Sequence, residues 1–181
     1  RHTTPEISKG VLYGQSDIEV KSTFAAEVSS IKERLKLDDD FIVYSSPLKR
    51  CLKLAQELSP AAVQLDERLK ELNFGDWEMK ELDPEQQALM SEWMKDFITQ
   101  RVPNGESFQD LYDRSVSFLN DLLQKTHEIA VVVTHGGVIS ALLIHILGIS
   151  PEKLMQLHLD FGGISKISAS ESLQRVMFIN R

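Results

Sequence analysis

The stretch 129-IAVVVTHGGVISALLIHILG-148 decides the fold. Its apolar opening, Ile129 to Val133, is too short for a helix and rich enough in β-branched residues for a buried strand. Past His135 the periodicity changes, and Val138, Leu142 and Ile146 recur at helical spacing. Gly136 and Gly137 stand at the change. His135 is thereby left at the carboxyl end of a strand, which is where open α/β sheets bind ligands.

A second strand-loop-helix unit lies upstream. The strand "FIVYS" (41–45) leads into "SSPLKRCLKLAQEL", where Ser46 is predicted as the N-cap, Pro47 as the first helical residue and Arg50 as a member of the first turn. Before it, Phe24, Val28, Ile31 and Leu35 share one helical face, and Asp38-Asp39-Asp40 are expected to end that helix. A short strand is expected near Val63 to Leu65, followed by the loop-like "DERLKELNFGDWE". Asp83-Pro84-Glu85-Gln86 is a helix start, with Met90, Trp93, Met94, Phe97 and Ile98 as a buried stripe. "VPNGES" reads as a turn, and Ser107 caps a helix carrying Phe108, Leu111, Phe118 and Leu122. "GISKIS" and "RVMFIN" close the chain as strands at a sheet edge. Strand and helix alternate without repeats or linkers, so residues 1–181 are expected to form one α/β domain, a three-layer α/β/α sandwich with a mostly parallel central sheet.

Composition narrows the function. A net charge of −7 speaks against a nucleic-acid-binding surface, so any anion site must be a local pocket. The single cysteine, Cys51, allows no intramolecular disulfide and suits a reducing compartment. No apolar run approaches the roughly 20 residues that span a bilayer, and no signal peptide is legible, so a cytoplasmic protein without membrane contact is expected. Nothing in the pattern specifies an oligomeric state.

Arg50 and His135 should reach the same rim of the sheet, beside helix N-termini whose backbone N–H groups favour a phosphate-like dianion. Arg1 and His2 add to them if they reach that rim too: two arginines grip phosphate oxygens, and a neutral imidazole with arginines holding its pKa down is a nucleophile. Other chemistries fit poorly. There is no Gly-x-Gly-x-x-Gly and no Gly-Lys-Ser/Thr, Cys51 has Glu57 where a cysteine phosphatase needs arginine, and no His-Glu-x-x-His motif is present. His127, His145 and His158 are expected to be structural.

Five pieces in order, "RHTTP", "SSPLKRC", "RLKELNFGDWE", "PNGES" and "VTHGGV", resemble the histidine phosphatase superfamily, the phosphoglycerate mutase-like enzymes, over the whole length. The resemblance implies that His2 is the nucleophile that becomes phosphohistidine, that Arg1, Arg50 and His135 hold the phosphoryl oxygens, and that Glu71 is the general acid. It implies a phosphomonoesterase acting on a small-molecule phosphomonoester, with no metal and no other cofactor. Ser8, Tyr13, Gly14 and Gly136 are read as substrate-binding residues, and residues 79–125 as a small helical cap. The family's first strand ends at the Arg-His pair, so an apolar strand is expected before Arg1. Thr3 and Ser8 depart from the family's usual glycine and asparagine. "RHT" followed by "GVLYGQSD" resembles the alpha-ribazole phosphatase branch, which acts in cobalamin nucleotide-loop assembly; a broad-specificity sugar-phosphate or nucleotide phosphatase and a mutase-like enzyme are the alternatives. A catalytically silent phosphate-binding module is the reading from another class.

Overall fold

A computed structural model describes residues 1–37, 40–59, 61–81, 83–169 and 173–181. Its centre is a parallel sheet in the order β2-β1-β3, with β1 at Ile42–Ser45, β2 at Gln64–Leu65 and β3 at Ala130–Val133. Val43 pairs with Val131 and Tyr44 with Val132, which sends the valines at 43 and 133 to one face and Tyr44 to the other. On the first face α1 (Phe24–Leu35) and α2 (Lys49–Leu58) bury Val28, Ile31, Cys51 and Leu54 against Val43 and Val133. Past Tyr44, α4 (Phe108–Leu123) and α5 (Gly136–Leu147) form the third layer, where Phe118 meets the Tyr44 ring edge to face at 5.6 Å. The fold is the expected α/β/α sandwich. Helices cover both faces because a parallel sheet exposes apolar residues on both.

Local signals act where they were read. Asp83 accepts the Gln86 N–H at the start of α3 (Pro84–Trp93), and Ser107 and Asp110 form a reciprocal capping box on α4. α3 ends at Trp93, so the stripe continues beyond it through turns that still bury Phe97. α1 stops at Leu35 with Lys36 left-handed at φ 43°, while Asp38 and Asp39 lie outside the described residues.

Two expectations change. α2 begins at Lys49 with Leu48 as N-cap, so Ser46 does not cap it and Pro47 precedes it. The closing strands β4 (Lys166–Ala169) and β5 (Gln174–Phe178) do not extend the parallel sheet; they pair with each other in an antiparallel ladder. The start of the chain lies between the end of β3 and the segment that leads to β4: His2 N–H donates to Thr134 O, and Gly162 N–H donates to His2 O, both at 3.0 Å.

Candidate active site

The backbone bonds to Thr134 and Gly162 set His2 beside the carboxyl end of β3. Its ring is buried, 1 % exposed, and its Nδ1 lies 2.7 Å from Thr3 O. A carbonyl can only accept, so Nδ1 carries the proton in that bond and Nε2 keeps its lone pair. His135 is the N-cap residue of α5, fully buried, with its ring 5.1 Å from that of His2 at 64°. Both histidines are held well below the ordinary imidazole range. Burial is the main cause for each; Arg50 adds to it at His2, and the His2 ring and Arg50 add to it at His135.

Arg50 sits in the first turn of α2 and is fully buried. Its Nη1 donates to Ser16 O at 2.9 Å and its Nη2 to Gly14 O at 2.5 Å. Arg1 donates from Nη1 to Leu159 O at 2.6 Å and stacks its guanidinium 3.9 Å over the Phe161 ring. The Nε atoms of both arginines are buried and have no hydrogen-bond partner among the described residues. Buried guanidinium N–H groups without acceptors are costly. An anion seated between the two guanidinium groups would relieve that cost.

Glu71 reaches the cup from the loop after the turn Glu67–Leu69. Its Oε2 accepts the Gly137 N–H at 3.1 Å in the first turn of α5, and its Oε1 accepts the Leu72 N–H at 2.9 Å. A Cβ on Gly137 would come within 2.3 Å of Glu71 Oε1, so the carboxylate occupies the space the glycine leaves. Thr134 Oγ1 ties the loop to the end of β3 through Leu69 O at 2.7 Å. Arg114 holds it from the other side, donating to Glu71 O at 2.8 Å while paired with Glu106.

Structure thus brings Arg1, His2, Arg50, Glu71 and His135 together at the carboxyl end of the parallel sheet. Gly136 lies beneath Arg1, where an added Cβ would be 3.5 Å from the guanidinium carbon. Tyr13 is half-buried with the Arg50 guanidinium 5.4 Å from its ring centre, and burial pushes its hydroxyl pKa up. Gly14 enters through its carbonyl on Arg50. Ser8 is exposed and borders a cavity of about 270 Å³ that Tyr13 and Phe161 also line. Trp77 and Trp93 pack against each other in the core, ring centres 5.9 Å apart. His145 accepts or donates at Nδ1 with Tyr112 Oη, 2.8 Å away, as a structural histidine would.

Sequence reasoning missed Ser46, Cys51 and Phe161. Ser46 Oγ lies 2.9 Å from His135 Nε2 and Cys51 Sγ 3.3 Å from the same atom. Burial pushes the Cys51 thiol up to about 12, so it remains a neutral neighbour of the histidine. Only the adjacency of Ser46 to Arg50 in one motif hinted at the first two; nothing marked Phe161.

The family model for the histidine phosphatase superfamily, branch 1, matches residues 1–181. The chain belongs to that superfamily. Relatives named as phosphatases match the chain, and the protein is a phosphoric monoester hydrolase. A relative from Hydrogenobacter thermophilus, named "Putative phosphoserine phosphatase 2", is 28% identical over 190 residues, covering 100% of this chain and 93% of that protein. The adenosylcobalamin/alpha-ribazole phosphatase of Escherichia coli K12 is 31% identical over 122 residues, 65% of this chain and 60% of that protein. Among solved structures, a "putative alpha-ribazole-5'-P phosphatase" from Escherichia coli K-12 superposes with a TM-score of 0.88 at 25% identity, covering 99% of this chain and 93% of that one.

Proposed function

We propose that the protein hydrolyses small-molecule phosphomonoesters through a phosphohistidine at His2, without a metal ion. One observation carries this reading: two buried guanidinium Nε groups without partners among the described residues stand beside two uncharged imidazoles, one of which has its Nε2 lone pair free of the Thr3 bond. Such a donor set suits a tetrahedral oxyanion.

In the first step His2 Nε2 attacks phosphorus. The bond from phosphorus to the ester oxygen breaks, and Glu71 gives its proton to the departing alkoxide. In the second step water loses a proton to Glu71 and attacks phosphorus; the bond to Nε2 breaks and inorganic phosphate leaves. Arg1, Arg50 and His135 donate to the phosphoryl oxygens throughout. Positioned acid catalysis contributes about 10² to 10⁴ in rate, so most of a phosphatase's acceleration has to come from the charged cup and the covalent route.

For the substrate we propose alpha-ribazole 5'-phosphate, supported by the Escherichia coli relatives and by the aromatic side chains, Tyr13 and Phe161, that line the neighbouring cavity. A second reading, a phosphatase of small phosphomonoesters such as phosphoserine, is favoured by the full-length match to the Hydrogenobacter thermophilus relative. Residues 1–181 are taken as one domain; within the expected cap at 79–125, α4 packs as the third layer of the sandwich, which leaves the part before α4 as the cap, joined to α5 by one apolar cluster that includes Trp93 and Phe97. Cytoplasmic residence goes with the buried free thiol of Cys51.

The deciding experiment compares kcat/KM for alpha-ribazole 5'-phosphate, phosphoserine, 3-phosphoglycerate and sugar phosphates in excess EDTA. A preference for the first of at least tenfold is expected. Equal rates across the panel overturn the substrate assignment, and inactivity in EDTA that added metal restores overturns the metal-independent route.

A further inference from the structure

Glu78 lies outside the phosphate cup, yet it gathers donors from two loops that the cup depends on. Its Oε1 accepts the Gln15 N–H at 2.8 Å and the Phe74 N–H at 3.0 Å. Its Oε2 accepts the Ser16 N–H at 2.6 Å and also the Ser16 hydroxyl. Segment 14–16 supplies both carbonyls that orient Arg50, and the loop containing Phe74 carries Glu71. The two loops touch a second time where Gln15 Nε2 donates to Glu71 O at 3.1 Å. Gly14 permits the approach, since a Cβ there would come within 1.9 Å of Leu72 O and 2.8 Å of Glu78 Oε1.

We infer that Glu78 is a positioning residue: its carboxylate fastens the segment that aims Arg50 to the loop that aims Glu71, and so sets the affinity of the cup for a phosphoryl group. This rests on the proposed roles of Arg50 and Glu71. The chemistry requires a carboxylate rather than an amide. Four N–H and O–H donors converge on two oxygens, and glutamine would turn a donor NH₂ toward one or both of the backbone N–H groups at one of them. Burial pushes the Glu78 pKa up, but the bonds from Ser16, Gln15 and Phe74 outweigh it and hold the group below the ordinary carboxylate range, so it remains an acceptor.

The test uses the full chain as wild type, E78Q, R50K and the double variant, and reads the Kd of inorganic phosphate by calorimetry beside kcat and KM for para-nitrophenyl phosphate. For E78Q the phosphate Kd and the KM are both expected to rise about tenfold, from a misaimed Arg50. In the R50K background E78Q should add less than about twofold, because both changes act on one group. A residue that merely supports the fold would reduce the active fraction, lowering kcat with Kd and KM unmoved; that result, or full additivity in the double variant, overturns the inference. If E78Q does not fold, S16A removes only the hydroxyl donor and should still weaken phosphate about two- to threefold, and an unchanged Kd overturns the inference. Phosphate binding is read without turnover, so failure of the phosphohistidine route at His2 would show separately, as an E78Q effect on Kd in a protein that forms no phosphoenzyme.

Discussion

The rings of His2 and His135 meet edge to face, 5.1 Å between centres, with Arg50 acting on both. Neither can become cationic cheaply in that setting, which keeps both rings neutral, as the proposed nucleophilic role of His2 requires. His2→Ala should give no acid-labile phosphoenzyme when the protein is quenched during turnover of a labelled substrate. A variant that still accumulates phosphoenzyme would remove the nucleophile assignment.

The same two histidines make stability depend on pH. Their folded pKa values lie below the unfolded value of about 6.5, so below that pH the unfolded chain binds more protons than the folded one. Stability is therefore complete above pH 6.5 and declines as pH falls toward the folded values, by up to about 1.4 kcal/mol per pH unit for each histidine. Urea unfolding at pH 7.5 and pH 5.5 should show the loss at the lower pH, and its absence in a His2→Asn, His135→Asn double variant.

Glu71 and Gly137 share one space at the head of α5. Glu71→Gln should slow alkyl phosphates by about 10² to 10⁴ while affecting para-nitrophenyl phosphate far less, since that leaving group needs no proton. Gly137→Ala should show the same selectivity in weaker form, because the new methyl displaces the carboxylate. Equal losses on both substrates would argue against Glu71 as the acid.

Arg50 is held by two backbone carbonyls, and its Nε has no hydrogen-bond partner among the described residues. Lysine cannot reproduce that fork. Arg50→Lys should lower kcat/KM by about 10² to 10³, the scale for losing a preorganised donor to transition-state charge. Wild-type kinetics in a folded variant would remove Arg50 from the cup.

Cys51 is fully buried, with its thiol pKa pushed up to about 12. A thiol-reactive dye at pH 8 should leave the native protein unlabelled and react with one equivalent after urea unfolding. Rapid native labelling would mean that the wall behind His135 opens.

What the sequence by itself determined is local. The change of period at His135, the cap at Asp83 and the capping box at Ser107 are each written within a few residues, and backbone sterics and hydrogen bonding act on that scale. The superfamily motifs likewise named His2, Arg50, Glu71 and His135, because each motif is short. Tertiary structure alone decided that Ser46 faces His135 instead of capping α2, that β4 and β5 pair apart from the parallel sheet, and that Glu78 joins two loops. Ser46 and His135 are 89 residues apart and Gln15 and Glu78 63, whereas β4 and β5 are a local pair and only their standing outside the parallel sheet is a long-range outcome. Such distant partners are chosen by which surfaces the folded sheet and helices bring within hydrogen-bonding reach, and no propensity or period encodes that distance.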